Sequence, residues 1–136
     1  MSIVALDIGD KYIGIAVSDP MGIVSRPYKT LVRTSLAQDL QELKRILEER
    51  AAELLVVGYP KNMDGSVGPR AHRVEDMISS LQKLGVPVVK VDERLSSREA
   101  EDHMVRAGLA QRERNARRDE FAAAVILQRY LEEGSL

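Results

Sequence analysis

The chain has no cysteine. Disulfides, thiol catalysis and zinc–thiolate sites are therefore excluded, and the composition suits a cytoplasmic protein. It has no tryptophan and a single phenylalanine. Its tyrosines, Tyr12, Tyr28, Tyr59 and Tyr130, show no spacing that would build a stacking platform for bases. His72 and His103 stand alone, with no partner at metal-ligand spacing. No apolar stretch is long enough to cross a bilayer, and the start lacks a basic segment leading into a hydrophobic one. No membrane partner is expected. A charge excess is missing too. Lys and Arg number 20, Asp and Glu 21, for a net charge of −1. That balance argues against indiscriminate binding of polyanions and leaves only local basic patches for the purpose. No repeat, linker or low-complexity segment divides the chain. Residues 1–136 read as one domain, long enough to bury a full core.

What is present begins with Ile3-Val4-Ala5-Leu6-Asp7-Ile8-Gly9. An apolar run of this kind reads as a strand buried on both faces. Asp7 interrupts it near the end. A carboxylate there must be hydrogen-bonded, bound to a cation or placed at the sheet's end, because burying it alone costs several kcal/mol. Gly9 turns the backbone, and Tyr12 to Ser18 forms a second strand paired as a hairpin. Capping of the turn at Gly9-Asp10 would explain Asp7 without any function. Ser25 to Leu31 is a third strand, which Pro27 pushes to an edge. Ser35 to Ala52 is the clearest helix, with Leu36, Leu40, Leu43, Ile46 and Leu47 on one face. Leu54 to Gly58 is a short buried strand, parallel to the first.

A long loop from Gly58 to Arg70 follows, rich in proline, glycine and small polar residues. Loops of this length in a compact domain are commonly functional. Its amides with Lys61, Asn62, Ser66 and Arg70 would suit phosphates near the start of the next helix, which Pro69 opens and which runs to about Leu84. Gly85 to Arg94 repeats the opening pattern, a β run ending in the acids Asp92 and Glu93. Alternation along a strand lets only one of them face Asp7. Ser96 with Glu99 fits a capping box, so a helix starts directly after them and runs to Gly108. Residues 111–120 carry Arg112, Arg114, Arg117 and Arg118 as a local basic patch. The last helix then begins near Asp119, which shares a face with Ala122, Ala123 and Ile126. An acid at a helix start would also serve the helix dipole.

The element order is three β runs, then helix, strand, helix, strand and two helices. A mixed sheet opening with a meander would bring the first strand beside the later parallel ones and let the three acids converge. Hard oxygen donors without His or Cys suit Mg²⁺ or Mn²⁺. Such ions support phosphodiester hydrolysis.

These stretches resemble a known family. Leu6-Asp7-Ile8-Gly9 through Gly14-Ile15-Ala16-Val17-Ser18-Asp19 looks like the first motif of the YqgF/RuvX family of RNase-H-like proteins. Val57-Gly58-Tyr59-Pro60, Asn62-Met63-Asp64-Gly65-Ser66 and Gly68-Pro69-Arg70-Ala71 resemble its second. Asp92-Glu93-Arg94-Leu95-Ser96-Ser97 with Glu99-Ala100-Glu101 resembles its third. Asp119 with Ala122-Ala123 and Ile126-Leu127 resembles its last. That family is described as Holliday-junction resolvases and as nucleases maturing the 5′ end of small-subunit ribosomal RNA. The resemblance implies an α/β, RNase-H-like fold with a mixed five-stranded sheet flanked by helices. It implies a divalent-metal nuclease in the cytoplasm, with Asp7, Glu93 (or Asp92) and Asp119 as metal-binding and catalytic acids. Structured RNA or branched DNA would be the partner, held by Lys61, Asn62, Ser66, Arg70, Arg94, Arg112, Arg114, Arg117 and Arg118. A homodimer is left open. One departure is visible. Family members often have Lys after the last acid, where this chain has Glu120.

Two rival readings remain. The opening hairpin also resembles the phosphate loop of actin-like ATPases and sugar kinases, which need two such domains around the nucleotide. A non-catalytic nucleic-acid-binding module of the same fold would have no use for three acids where phosphates must approach.

Overall fold

The computed structural model describes residues 1–136. Strands β1 (Ile3–Ile8), β2 (Tyr12–Ser18) and β3 (Ser25–Val32) form an antiparallel meander. Helix α1 (Leu36–Glu49), strand β4 (Leu54–Tyr59), helix α2 (Pro69–Leu81), strand β5 (Val88–Asp92), helix α3 (Ser96–Arg106) and helix α4 (Gln111–Glu133) follow. The sheet order is β3-β2-β1-β4-β5, with β4 parallel to β1 and β5 parallel to β4. This is the mixed sheet expected from the element order. Pro27 lies on the edge strand β3, as its missing N–H requires.

The faces of the sheet differ in size. On one, Val4, Leu6, Ile8, Ile13, Ile15 and Val57 meet the apolar stripes of α1 and α2. On the other, Ala5, Ala16 and Val56 meet Ala123, Ile126 and Leu127 of α4. Small residues on both partners let α4 lie close, and it runs across all five strands. Helix α3 packs on the far side of α4 through Ala100, Ala122 and Val125.

Four expectations for the helices differ. Helix α1 begins after Ser35, whose hydroxyl accepts from the Gln38 N–H at 3.2 Å as an N-cap. The helix opened by Pro69 stops at Leu81, and a single 3₁₀ turn over Gln82–Leu84 leads to Gly85 at φ 88°. The capping box at Ser96 and Glu99 does not form. Leu95 holds the cap position at φ 63°, and its carbonyl, not the Ser96 hydroxyl, receives the Glu99 N–H. The largest correction concerns the last helix. It begins at Gln111, so the arginine-rich stretch is its first two turns and Asp119 lies well inside it. An acid so far from the end gains little from the helix dipole, whose effect fades within the first turn.

Candidate active site

The site is built at the carboxyl ends of β1 and β5, where open α/β sheets collect ligands. Asp7 is the penultimate residue of β1. It pairs across the hairpin with Gly14, which pairs in turn with Thr30 of β3. On the other side Leu6 pairs with Val57, so Asp7 lies beside Gly58. Glycine is required at both flanks. A Cβ on Gly14 would stand 1.9 Å from the Asp119 carbonyl oxygen. A Cβ on Gly58 would stand 2.7 Å from Ile126 Cδ1 and 3.2 Å from Glu93 Oε2. The gaps beside Asp7 thus admit the backbone of α4 on one side and the Glu93 side chain on the other. The sequence reading missed Gly14 and Gly58, and glycine inside a strand pattern is the signal that could have found them.

Glu93 lies just past the end of β5. Its N–H donates to the Tyr59 carbonyl at 3.2 Å, and its own carbonyl receives the Ser96 N–H at 3.0 Å. These bonds turn its side chain inward, where it is buried beside Asp7. Asp92 points elsewhere. It accepts from Arg94 Nε at 2.7 Å and from the Arg94 N–H at 2.9 Å. Partial burial works to raise the Asp92 pKa, but the bonds from Arg94 outweigh it and hold the carboxyl below the usual range. Of the two acids, Glu93 is the one that meets Asp7.

The pair is electrostatically costly. Burial pushes the Asp7 carboxyl well above its ordinary value. The charge of Glu93, placed to share a proton with it, pushes the same way, and Asp119 adds a smaller push. Arg70 offsets part of this from α2. Its Nη2 stands 3.6 Å from Asp7 Oδ1 and 3.5 Å from Glu93 Oε1, and it donates to the Ile8 carbonyl at 3.2 Å. Glu93 Oε1 is buried without any hydrogen bond.

A buried carboxylate oxygen with no hydrogen bond, only Arg70 3.5 Å away, beside a second buried acid leaves negative charge for a further cation, and hard oxygen donors fit Mg²⁺ or Mn²⁺. The fit is a pair, not a closed trio. No three acids or histidines come together tightly enough to grip one ion. Asp119 is half-buried, near enough to bear on Asp7 without completing a ligand set.

The basic residues divide into two groups. Lys61, Arg70 and Arg94 line a cleft of about 230 Å³ that includes Glu93. Asn62 and Ser66 are exposed, and their side chains also shape the loop. The Asn62 side chain donates to the Ser66 hydroxyl at 2.9 Å, and the Ser66 N–H and hydroxyl both donate to Asp64. Three of the four arginines expected as a free rim are held by carboxylates. Arg114 and Arg118 both bind Glu101 at 3.0 Å and tie α4 to α3. Arg117 binds Glu120 at 3.3 Å and lies over the Phe121 ring. Arg112 alone of the four is exposed without a carboxylate. Glu120, the departure from the family pattern, is buried, and Thr30 donates to it at 3.4 Å.

The RuvX family profile, described as Holliday junction resolvase, matches residues 1–133. The chain belongs to the RuvX family. A relative from Halothermothrix orenii, named "Putative pre-16S rRNA nuclease", is 42% identical over 132 residues, covering 96% of this chain and 94% of its own. A relative of the same name from Syntrophomonas wolfei is 43% identical over 137 residues, covering 100% of this chain and 97% of its own. T. thermophilus RuvC in complex with Holliday junction substrate superimposes with a TM-score of 0.58 at 16% identity, over 99% of this chain and 98% of that one. The Fowlpox virus resolvase in complex with Holliday junction DNA gives 0.58 at 15% identity, over 97% of each chain. At such identities the likeness concerns the fold, which is the RNase-H-like sheet of those resolvases. As a RuvX member the protein is a nuclease, a hydrolase of phosphodiester bonds. No helix is long and apolar enough to cross a membrane.

Proposed function

We propose that the protein is a divalent-metal-dependent nuclease of structured nucleic acid whose substrate is the 5′ end of pre-16S rRNA in the cytoplasm. The observation that carries the metal reading is the buried Asp7–Glu93 pair with its orphaned oxygen. The names of the relatives support the RNA. Asp7 and Glu93 would hold Mg²⁺ or Mn²⁺, with Asp119 as the third acid. When bound, such an ion lowers the pKa of a water and stabilises the leaving oxygen. The protein's own residues do the rest. Asp7 and Glu93 concentrate negative charge where the low dielectric of the sheet end makes each interaction strong. Gly14 and Gly58 leave room beside Asp7 for the α4 backbone and the Glu93 side chain. Arg70, lying between the acids and solvent, would meet the phosphate that approaches them, with Lys61 and Arg94 along the same cleft.

The test is cleavage by purified protein in Mg²⁺ or Mn²⁺ of a pre-16S RNA fragment and of a four-way DNA junction, with Asp7→Asn, Glu93→Gln and Asp119→Asn beside wild type. The RNA is expected to be cut by wild type alone. Cutting of the junction with the RNA left intact would move the substrate to branched DNA. Wild-type cleavage by Asp7→Asn, or in excess chelator, would overturn the site.

A further inference from the structure

A second concavity lies on the opposite side of the hairpin tip from the acids. It has a volume of about 300 Å³ between the β1–β2 turn, the start of α1 and the first turns of α2. Its floor is apolar, made of Leu36, Val74 and Met77. Its rim carries three guanidiniums, from Arg33, Arg70 and Arg73. The Arg33 side chain is fixed, with Nε 3.1 Å from Asp39 and Nη1 donating to the Gly9 carbonyl at 3.0 Å. Arg73 is 60% exposed, 3.5 Å from a still more exposed Asp10. The decisive member is Arg70, because the same side chain reaches Asp7 and Glu93. The pocket therefore begins one side chain away from the acids.

We propose that this pocket receives the nucleotide adjoining the scissile phosphate, with its base unstacked against the apolar floor. The inference rests on the nuclease reading above. A bare phosphate would satisfy the arginines and leave the floor wet, and Asp10 and Asp76 on the rim would repel it. A nucleotide matches every part. Its flat base covers apolar carbon, the exocyclic amine of an adenine, cytosine or guanine donates to one of the two aspartates, and its phosphate meets Arg70 or Arg73. A base stacked in a duplex cannot enter, so an unpaired residue beside the cut becomes the recognition element. RNA loops and ends supply such bases at little cost.

Binding and cutting test this separately. A short single-stranded RNA carrying one central 2-aminopurine is titrated, in Mg²⁺, into the non-cleaving Asp7→Asn protein, alone and with Leu36→Glu or Arg73→Ala added. Leu36 is 50% exposed at the first position of α1, where an acid suits the helix dipole, so Leu36→Glu keeps the fold. Asp7→Asn is expected to bind with the full change in 2-aminopurine emission. Leu36→Glu and Arg73→Ala are expected to bind roughly ten- to a hundredfold more weakly, the size of a lost base contact, and without that change. Equal affinity and equal emission change for Leu36→Glu would overturn the pocket. The binding readout does not depend on cleavage, so loss of the nuclease reading shows separately, as cutting by Asp7→Asn at the wild-type rate.

Discussion

Asp7 works against the fold that holds it. Its pKa is raised by burial and by Glu93, so the folded state takes up a proton more readily than the unfolded one. The sign follows by linkage. In chelator, stability falls as pH rises from the ordinary carboxylate value through the higher folded one, and it stays low above that. Asp7→Asn removes this cost while keeping the volume. It is expected to melt above wild type near neutral pH in chelator, the gap closing towards about pH 4, where the unfolded carboxylate protonates. The same substitution should lower cleavage at least about a hundredfold, the scale for losing one preorganised electrostatic group. Melting curves across pH with a parallel cleavage assay read both. A lower melting point at neutral pH would show that Arg70 already compensates the charge. Arg70→Ala leaves the two acids without their nearby cation. It should melt below wild type in chelator, and added Mn²⁺ should close most of that gap.

At the scale of elements, α4 is the part that decides the site, and its seat on β2 is Gly14. A methyl group there would stand 1.9 Å from the Asp119 carbonyl, which is backbone and cannot swing aside. Gly14→Ala is therefore expected to lift the helix, costing about 1–3 kcal/mol, and to lower cleavage by moving Asp119. Gly58→Ala meets side chains that can turn, Ile126 and Glu93, so its stability cost should be smaller. Denaturant melts of the two variants rank them, and equal losses would contradict a backbone contact at Gly14. Most elements were legible in the sequence for local reasons. Alternating or continuous apolar runs marked the strands, Pro27 marked the edge, and Ser35 marked a helix start. The register of Asp7 against Gly14 and Gly58 was not legible, because a strand pattern does not say which neighbour lies across from it. Nor was the start of α4. Gln111 to Glu120 reads as a charged stretch because the apolar contacts of the helix begin only at Phe121, and two turns held by Glu101 and Glu120 carry no hydrophobic period. The same ion pairs explain why four arginines in sequence do not make four free cations in space.

For the whole molecule, a net charge near zero means that nucleic acid is held locally. The cations near the acids are Lys61, Arg70 and Arg94, the last itself paired with Asp92, and those of early α4 are mostly spent on α3 and on Glu120. Lys61→Ala should flatten the log–log salt dependence of RNA binding by roughly 0.7–0.9, one phosphate's worth of released counterions. Arg114→Ala should leave that slope alone and instead lower the melting point, since it unties α3 from α4. Titrations at several salt concentrations separate the two. A flatter slope for Arg114→Ala would place the phosphate track over the start of α4.

The path of the chain through the site has a consequence for its biogenesis. Asp7 lies in β1, Glu93 follows β5, and Asp119 rides on α4, which lies across all five strands. The meander can pair early because its contacts are local, whereas docking of α4 requires every strand to be in place. On the proposed role of the three acids, the site is therefore complete only once α4 has docked.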